Sequence, residues 1–182
     1  MAGRSPKEAV TRFVTPIQRA TSCFLGAGKV TVDSEDPETE GVLTLNSANV
    51  VSLPKATKGG PAVSLVATMR YRIVEDETPG RGPWKVSTTG WMYSLMEDGN
   101  TVVDFHWHPV SNSHVVSPHL HVRSSVRLKK RHVPTGRVLI EDVLGFAVEL
   151  GAAPRDPKTW ARVAKRNRSA FLLGATWGHH AR

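Results

Sequence analysis

Two His-x-His pairs, His106-Trp107-His108 and His119-Leu120-His121, are separated by ten residues, with Pro109 after the first and Pro118 before the second. Imidazole titrates near neutral pH and, when neutral, ligates transition metals, so this residue type can move protons or hold an ion. In an extended chain residues i and i+2 point to the same side. Two such strands lying side by side would gather four imidazoles on one patch of sheet.

The elements needed to hold that patch are legible around it. Val63, Leu65, Ala67, Met69, Tyr71 and Ile73 alternate with polar neighbours, which is the period of a half-buried strand. Residues 85–96 read as a second long strand, Glu97-Asp98-Gly99-Asn100 as a tight hairpin, and 101–108 as the returning strand. A loop at 110–117 leads to a further strand at 119–128. Residues 42–53 read as strand, interrupted at 46–49.

Alternation sorts Val103, Phe105 and Trp107 to one face and Asp104, His106 and His108 to the other. Antiparallel pairing across the 110–117 loop sets His108 near His119, His106 near His121 and Asp104 near Arg123. Counting back through the hairpin places Trp91 and Tyr93 on the histidine face too.

Three readings of that face stand open. The histidines His106, His108, His119 and His121 ligate a divalent transition metal (zinc, iron, nickel, copper or manganese). Alternatively they are metal-free acid and base groups that cleave RNA, needing no cofactor. Asp104 then belongs to the catalytic group, Arg123 stabilises the transferring phosphate, and Trp91 or Tyr93 stacks a base. In the third reading they are a structural polar network without chemistry. Neither a helical His-Glu-x-x-His nor a cupin-type acid after His108 is present.

Charge adds a partner. Of the net +8, residues 1–122 contribute eleven basic and twelve acidic side chains, whereas residues 123–182 contribute thirteen and four. Clustered cations gain counterion-release free energy on a phosphate backbone, so RNA or another polyanion is the expected partner. The candidate contacts are Lys129, Lys130, Arg131 and Arg137, with Arg162, Lys165 and Arg166 on a C-terminal helix. An ordinary solvated charge run explains any one of them equally well.

Helices flank the strands. Ser5-Pro6-Lys7-Glu8 opens a helix over 5–22, in which Pro16 is expected to produce a kink or an early end. Residues 140–150 form a second helix with Gly151 as its C-terminal cap, and Asp156-Pro157 opens a third. The expectation is one α+β domain over 1–182: an antiparallel sheet of four to six strands, with N- and C-terminal helices on one face. Residues 1–62 supply the first helix and strands, 63–128 the sheet, and 129–182 the basic helical region. No apolar run approaches the roughly 18 residues that span a bilayer. The single cysteine, Cys23, fits a reducing compartment, so a cytoplasmic location is expected. Gly26-Ala27-Gly28-Lys29 lacks the spacing of a phosphate-binding loop.

The motifs His106-Trp-His-Pro109, Pro118-His-Leu-His121 and Thr135-Gly-Arg-Val-Leu-Ile-Glu-Asp142, in the order hairpin, histidine strand, histidine strand, helix, resemble the small TumE-type toxins of bacterial toxin–antitoxin pairs. The similarity covers about residues 63–150. It implies a cytoplasmic toxin acting on RNA and neutralised by an antitoxin protein. The first 60 residues and the basic C-terminal helix have no counterpart in it.

Overall fold

The computed structural model describes residues 2–25, 30–109, 115–125, 127 and 131–174. Lys129 and Lys130 lie outside them, as do residues 26–29, 110–114, Val126 and Leu128. The chain is α+β: the described residues form three α-helices and a nine-stranded antiparallel sheet. The strands are β1 (Ala2–Gly3), β2 (Val30–Val32), β3 (Gly41–Leu45), β4 (Val51–Ser52), β5 (Val63–Glu75), β6 (Trp84–Glu97), β7 (Asn100–Trp107), β8 (His119–Val122) and β9 (Val133–Pro134). The helices are α1 (Pro6–Leu25), α2 (Ile140–Glu149) and α3 (Pro157–Gly174). The sheet runs β2-β3-β5-β6-β7-β8-β9, with β1 on the far end of β6 and β4 on the end of β5. The strand number exceeds the expected four to six because β1, β4 and β9 are two residues long. Such bridges are too short to carry a period of two.

Helix α1 starts where its capping signal lies: Glu8 N–H donates to Ser5 Oγ, and Glu8 Oε2 accepts from Arg4 N–H. It runs through Pro16 to Leu25, against the expected early end. An interior proline costs about 3 kcal/mol. Each large apolar side chain buried recovers roughly 1.5–3 kcal/mol. Val10, Ile17 and Phe24 are all buried against the sheet and α3, so packing outweighs the missing hydrogen bond. Helix α2 adds Ile140, Val143, Leu144 and Ala147 to the same core and ends at Gly151, whose φ of +103° suits glycine. Helix α3 opens on Asp156, which accepts from Lys158 N–H and Thr159 Oγ1. It packs Trp160 edge-on to Phe24, at 5.0 Å between ring centres.

The β6–β7 hairpin turns at Asp98 and Gly99, both with positive φ, as a twisted two-residue turn requires. Beyond the turn the ladder slips by one residue: Met96 pairs with Thr101, but Leu95 pairs with Val103. Val102 is the extra residue of a β-bulge. A one-residue slip moves every later side chain to the opposite face. Trp91 and Tyr93 therefore sit opposite Trp107 and Phe105, 5% and 0% exposed, within the core. Their expected place on the histidine face is corrected by this bulge, and neither is available to stack a base there.

Strand β8 stops at Val122, shorter than the expected 119–128. Arg123 and Ser124 both turn their N–H groups to Val102 O, the carbonyl of the bulge residue. The β7–β8 register is also two residues away from the expectation: His106 faces His119, and Asp104 faces His121. A shift of two preserves parity, so the histidines still share one side.

Candidate metal centre on the histidine face

Strands β6, β7, β8 and β9 build the face in rows. One row reads Met92, His106, His119, Pro134 across the ladder, and the next reads Ser94, Asp104, His121. The β8–β9 register, continued by one residue, sets His132 opposite His121. Their rings are 4.5 Å apart between centres, and His132 lies 4.7 Å from His119. His106 stands 5.7 Å from His119 and 5.2 Å from His121, and His108 is 5.2 Å from His119. Five imidazoles thus converge where four were expected.

His119 is the centre of the cluster and is only 1% exposed. Its Nδ1 lies 2.9 Å from the Ser117 carbonyl oxygen, which can only accept, so Nδ1 carries the hydrogen. A neutral ring then leaves its lone pair on Nε2. That Nε2 is buried and has no hydrogen-bond partner, and the same holds for His121 Nδ1 and His106 Nε2. Buried polar atoms without partners are uncommon and ask for an explanation.

One ligand atom each from His119, His121 and His132 falls within a 4.8 Å group. Zinc–nitrogen bonds of about 2.0–2.1 Å place ligand nitrogens roughly 3.4 Å apart, a distance that modest ring rotation reaches. Burial pushes the His119 pKa down, and the neighbouring imidazoles reinforce it. Burial, then the Arg123 charge, then the neighbouring imidazoles bring His121 down to about 4. Both rings are neutral at pH 7, the form a metal requires.

Beside the cluster lies an ion pair. Asp104, 7% exposed, accepts from Ser94 Oγ at 2.6 Å and Arg123 Nε at 2.5 Å. Burial opposes ionisation of Asp104, but His106, Ser94 and Arg123 outweigh it and hold the carboxyl well below the usual carboxylate range. Asp104 Oδ2 is 4.0 Å from His106 Nε2, beyond hydrogen-bond reach. Arg123 joins Asp104 as the sequence suggested, through its side chain rather than through opposed strand positions.

The cationic candidates separate. Arg162, Lys165 and Arg166 are exposed on α3, which packs against α1 and α2 on the other side of the sheet. Arg131 is exposed near the histidines. Arg137 departs from the basic run it follows in sequence: it donates to Thr88 Oγ1 at 3.0 Å and lies over Phe171 at 4.8 Å, between sheet and helix.

His132 is the residue that strand reasoning missed as a ligand. Its partner strand β9 is two residues long, so the only available signal was a histidine just ahead of Val133-Pro134. Comparison with protein-family models found no match, and comparisons with curated proteins and with solved structures found none either.

Proposed function

We propose that this protein binds a divalent transition metal through His119, His121 and His132. Zinc is the best match to an all-imidazole set of this size. The observation that carries the reading is that one ring nitrogen from each of the three lies within 4.8 Å of the others, while His119 Nε2 and His121 Nδ1 are buried without a partner. The hydrogen bond from His119 Nδ1 to Ser117 supports it, since a backbone carbonyl on the far nitrogen orients a ligating histidine. Three protein ligands leave a coordination position for water or substrate, and a metal there would supply Lewis acidity. His106 stands 5.2 Å from His121 between ring centres, and the Asp104–Arg123 pair ties β7 to the end of β8.

Metal-free RNA cleavage ranks second. It needs one imidazole protonated and another neutral near pH 7, whereas the environments of His119 and His121 disfavour a proton. The toxin reading, with RNA as substrate and an antitoxin as partner, rests on the quoted motifs.

The test is cobalt(II) titration of chelator-treated protein, read by visible absorption and competed with zinc. Stoichiometric binding with tetrahedral ligand-field bands is expected, and His119→Ala and His132→Ala should abolish them. Absence of bands in folded protein would remove the metal reading. RNA cleavage that persists in chelator would put the acid–base reading in its place.

A further inference from the structure

Helix α3 carries five basic side chains and no acidic one. Arg168 is committed to Asp142, with its Nη2 2.5 Å from Oδ1. The other four, Lys158, Arg162, Lys165 and Arg166, are all exposed. Trp160 meets Phe24, and Asn167 Nδ2 donates to Pro16 O at 2.8 Å, so those positions face α1. At 3.6 residues per turn the four cations fall on the far side of the helix from that seam. They follow one another at three- and four-residue spacing, as neighbours on one helix face do.

Among the described residues none of the four forms an ion pair. Asp156 feels the charge of Arg162, but its oxygens accept from Lys158 N–H and Thr159 Oγ1 and cap the helix. The exposed side chains beside the cations, Ala161 and Ser169, are small. Such a face has no apolar or aromatic anchor for a protein partner and nothing to insert among lipid tails. It also lacks a ring on which an unpaired base could stack. Phosphates need none of these, because charge and donor groups hold them. From Lys158 to Arg166 the helix rises about 12 Å. A duplex presents one phosphate charge per roughly 1.7 Å of its axis, so that length meets several.

From these features we infer that this face of α3 docks on a nucleic-acid duplex through its phosphates, without choosing a base sequence. The driving force is the release of counterions that the four side chains replace. Arg137 takes no part, because it is held against Thr88 Oγ1 between sheet and helix. The face belongs to the helical layer with α1 and α2, away from the histidines, so it does not rest on the metal reading.

The test follows the anisotropy of a fluorescent DNA duplex of about 20 base pairs, mixed with the purified full chain in chelator. Affinity should fall with added salt at a log–log slope of about −3 to −4, from four contacts at roughly 0.9 each. Lys165→Gln with Arg166→Gln keeps helix propensity. It should bring the slope near about −2 and weaken binding roughly 10–100-fold at about 0.1 M salt. Arg70→Gln with Arg72→Gln removes the same charge from exposed positions on β5 and should leave the slope unchanged. Absence of saturable binding at low salt would overturn the inference, as would a slope that the α3 pair leaves unchanged. Equal binding of a single strand would overturn its duplex part. Tighter capture by phosphatidylserine vesicles than by the duplex would put a membrane surface in its place.

Discussion

The two faces of strands β6 and β7 bury polar atoms without partners, but of opposite kinds. The outer face holds imidazole nitrogens, and on His119 the bare nitrogen is a lone pair because the other ring nitrogen carries the hydrogen. The inner face holds two groups that can donate, the Trp91 indole and the Tyr93 phenol. A cluster of lone pairs attracts a cation, whereas two separate donors leave only the cost of unmet hydrogen bonds. Strand alternation keeps the two sets on opposite sides of one sheet.

The sharpest way to break this contrast is to remove the central ligand. His119→Ala should weaken zinc or cobalt binding well beyond the roughly 10–100-fold typical of outer-sphere changes. His108→Ala should change it only a few-fold, because His108 is outside the three-residue group. Competition titration against a chromophoric chelator checks both. Equal losses would mean that the ligand set is drawn wrongly.

A smaller effect tests what supports the outer face. Asp104→Ala leaves the Arg123 guanidinium without its carboxylate and should cost about 2–3 kcal/mol in urea unfolding. That is somewhat less than a fully buried broken pair, because the Arg123 side chain is 34% exposed. A change near zero would show that the pair does not hold the β7–β8 ends.

Acid should separate the faces further. In metal-free protein His121 has a folded pKa of about 4, below the roughly 6.5 of an unfolded histidine. The unfolded chain therefore binds the proton first, and stability falls as pH drops from about 6.5 toward 4. Asp104, also depressed, adds its loss below the ordinary carboxylate pKa of about 4. His121→Gln should flatten the upper part of this limb in a pH series of unfolding curves. An unchanged slope would show that His121 is not held neutral by its surroundings.

The smallest expected change is on the inner face. Tyr93→Phe removes a buried hydroxyl that has no partner, so ligand-free protein should gain about 1 kcal/mol. A loss of stability would reveal a partner for that hydroxyl.

Local chemistry was sufficient for the sequence alone to determine several elements. Ser5 and Glu8 mark the start of α1, Asp156 that of α3, and Gly151 the end of α2, because caps depend on atoms a few bonds away. Asp98-Gly99 sets the hairpin for the same reason, and the spacing of two within each His-x-His pair keeps its imidazoles on one side of a strand. Tertiary structure decided the rest. The bulge at Val102 reversed the faces of Trp91 and Tyr93, since one extra residue inverts parity and nothing in the local pattern announces it. Helix α1 survives Pro16 because of side chains packed from distant segments. His132 joined His119 and His121 only when β9 closed against β8, a pairing whose two-residue length leaves no periodic trace. Short-range geometry is written in neighbouring residues; register and convergence arise from contacts between segments far apart in the chain.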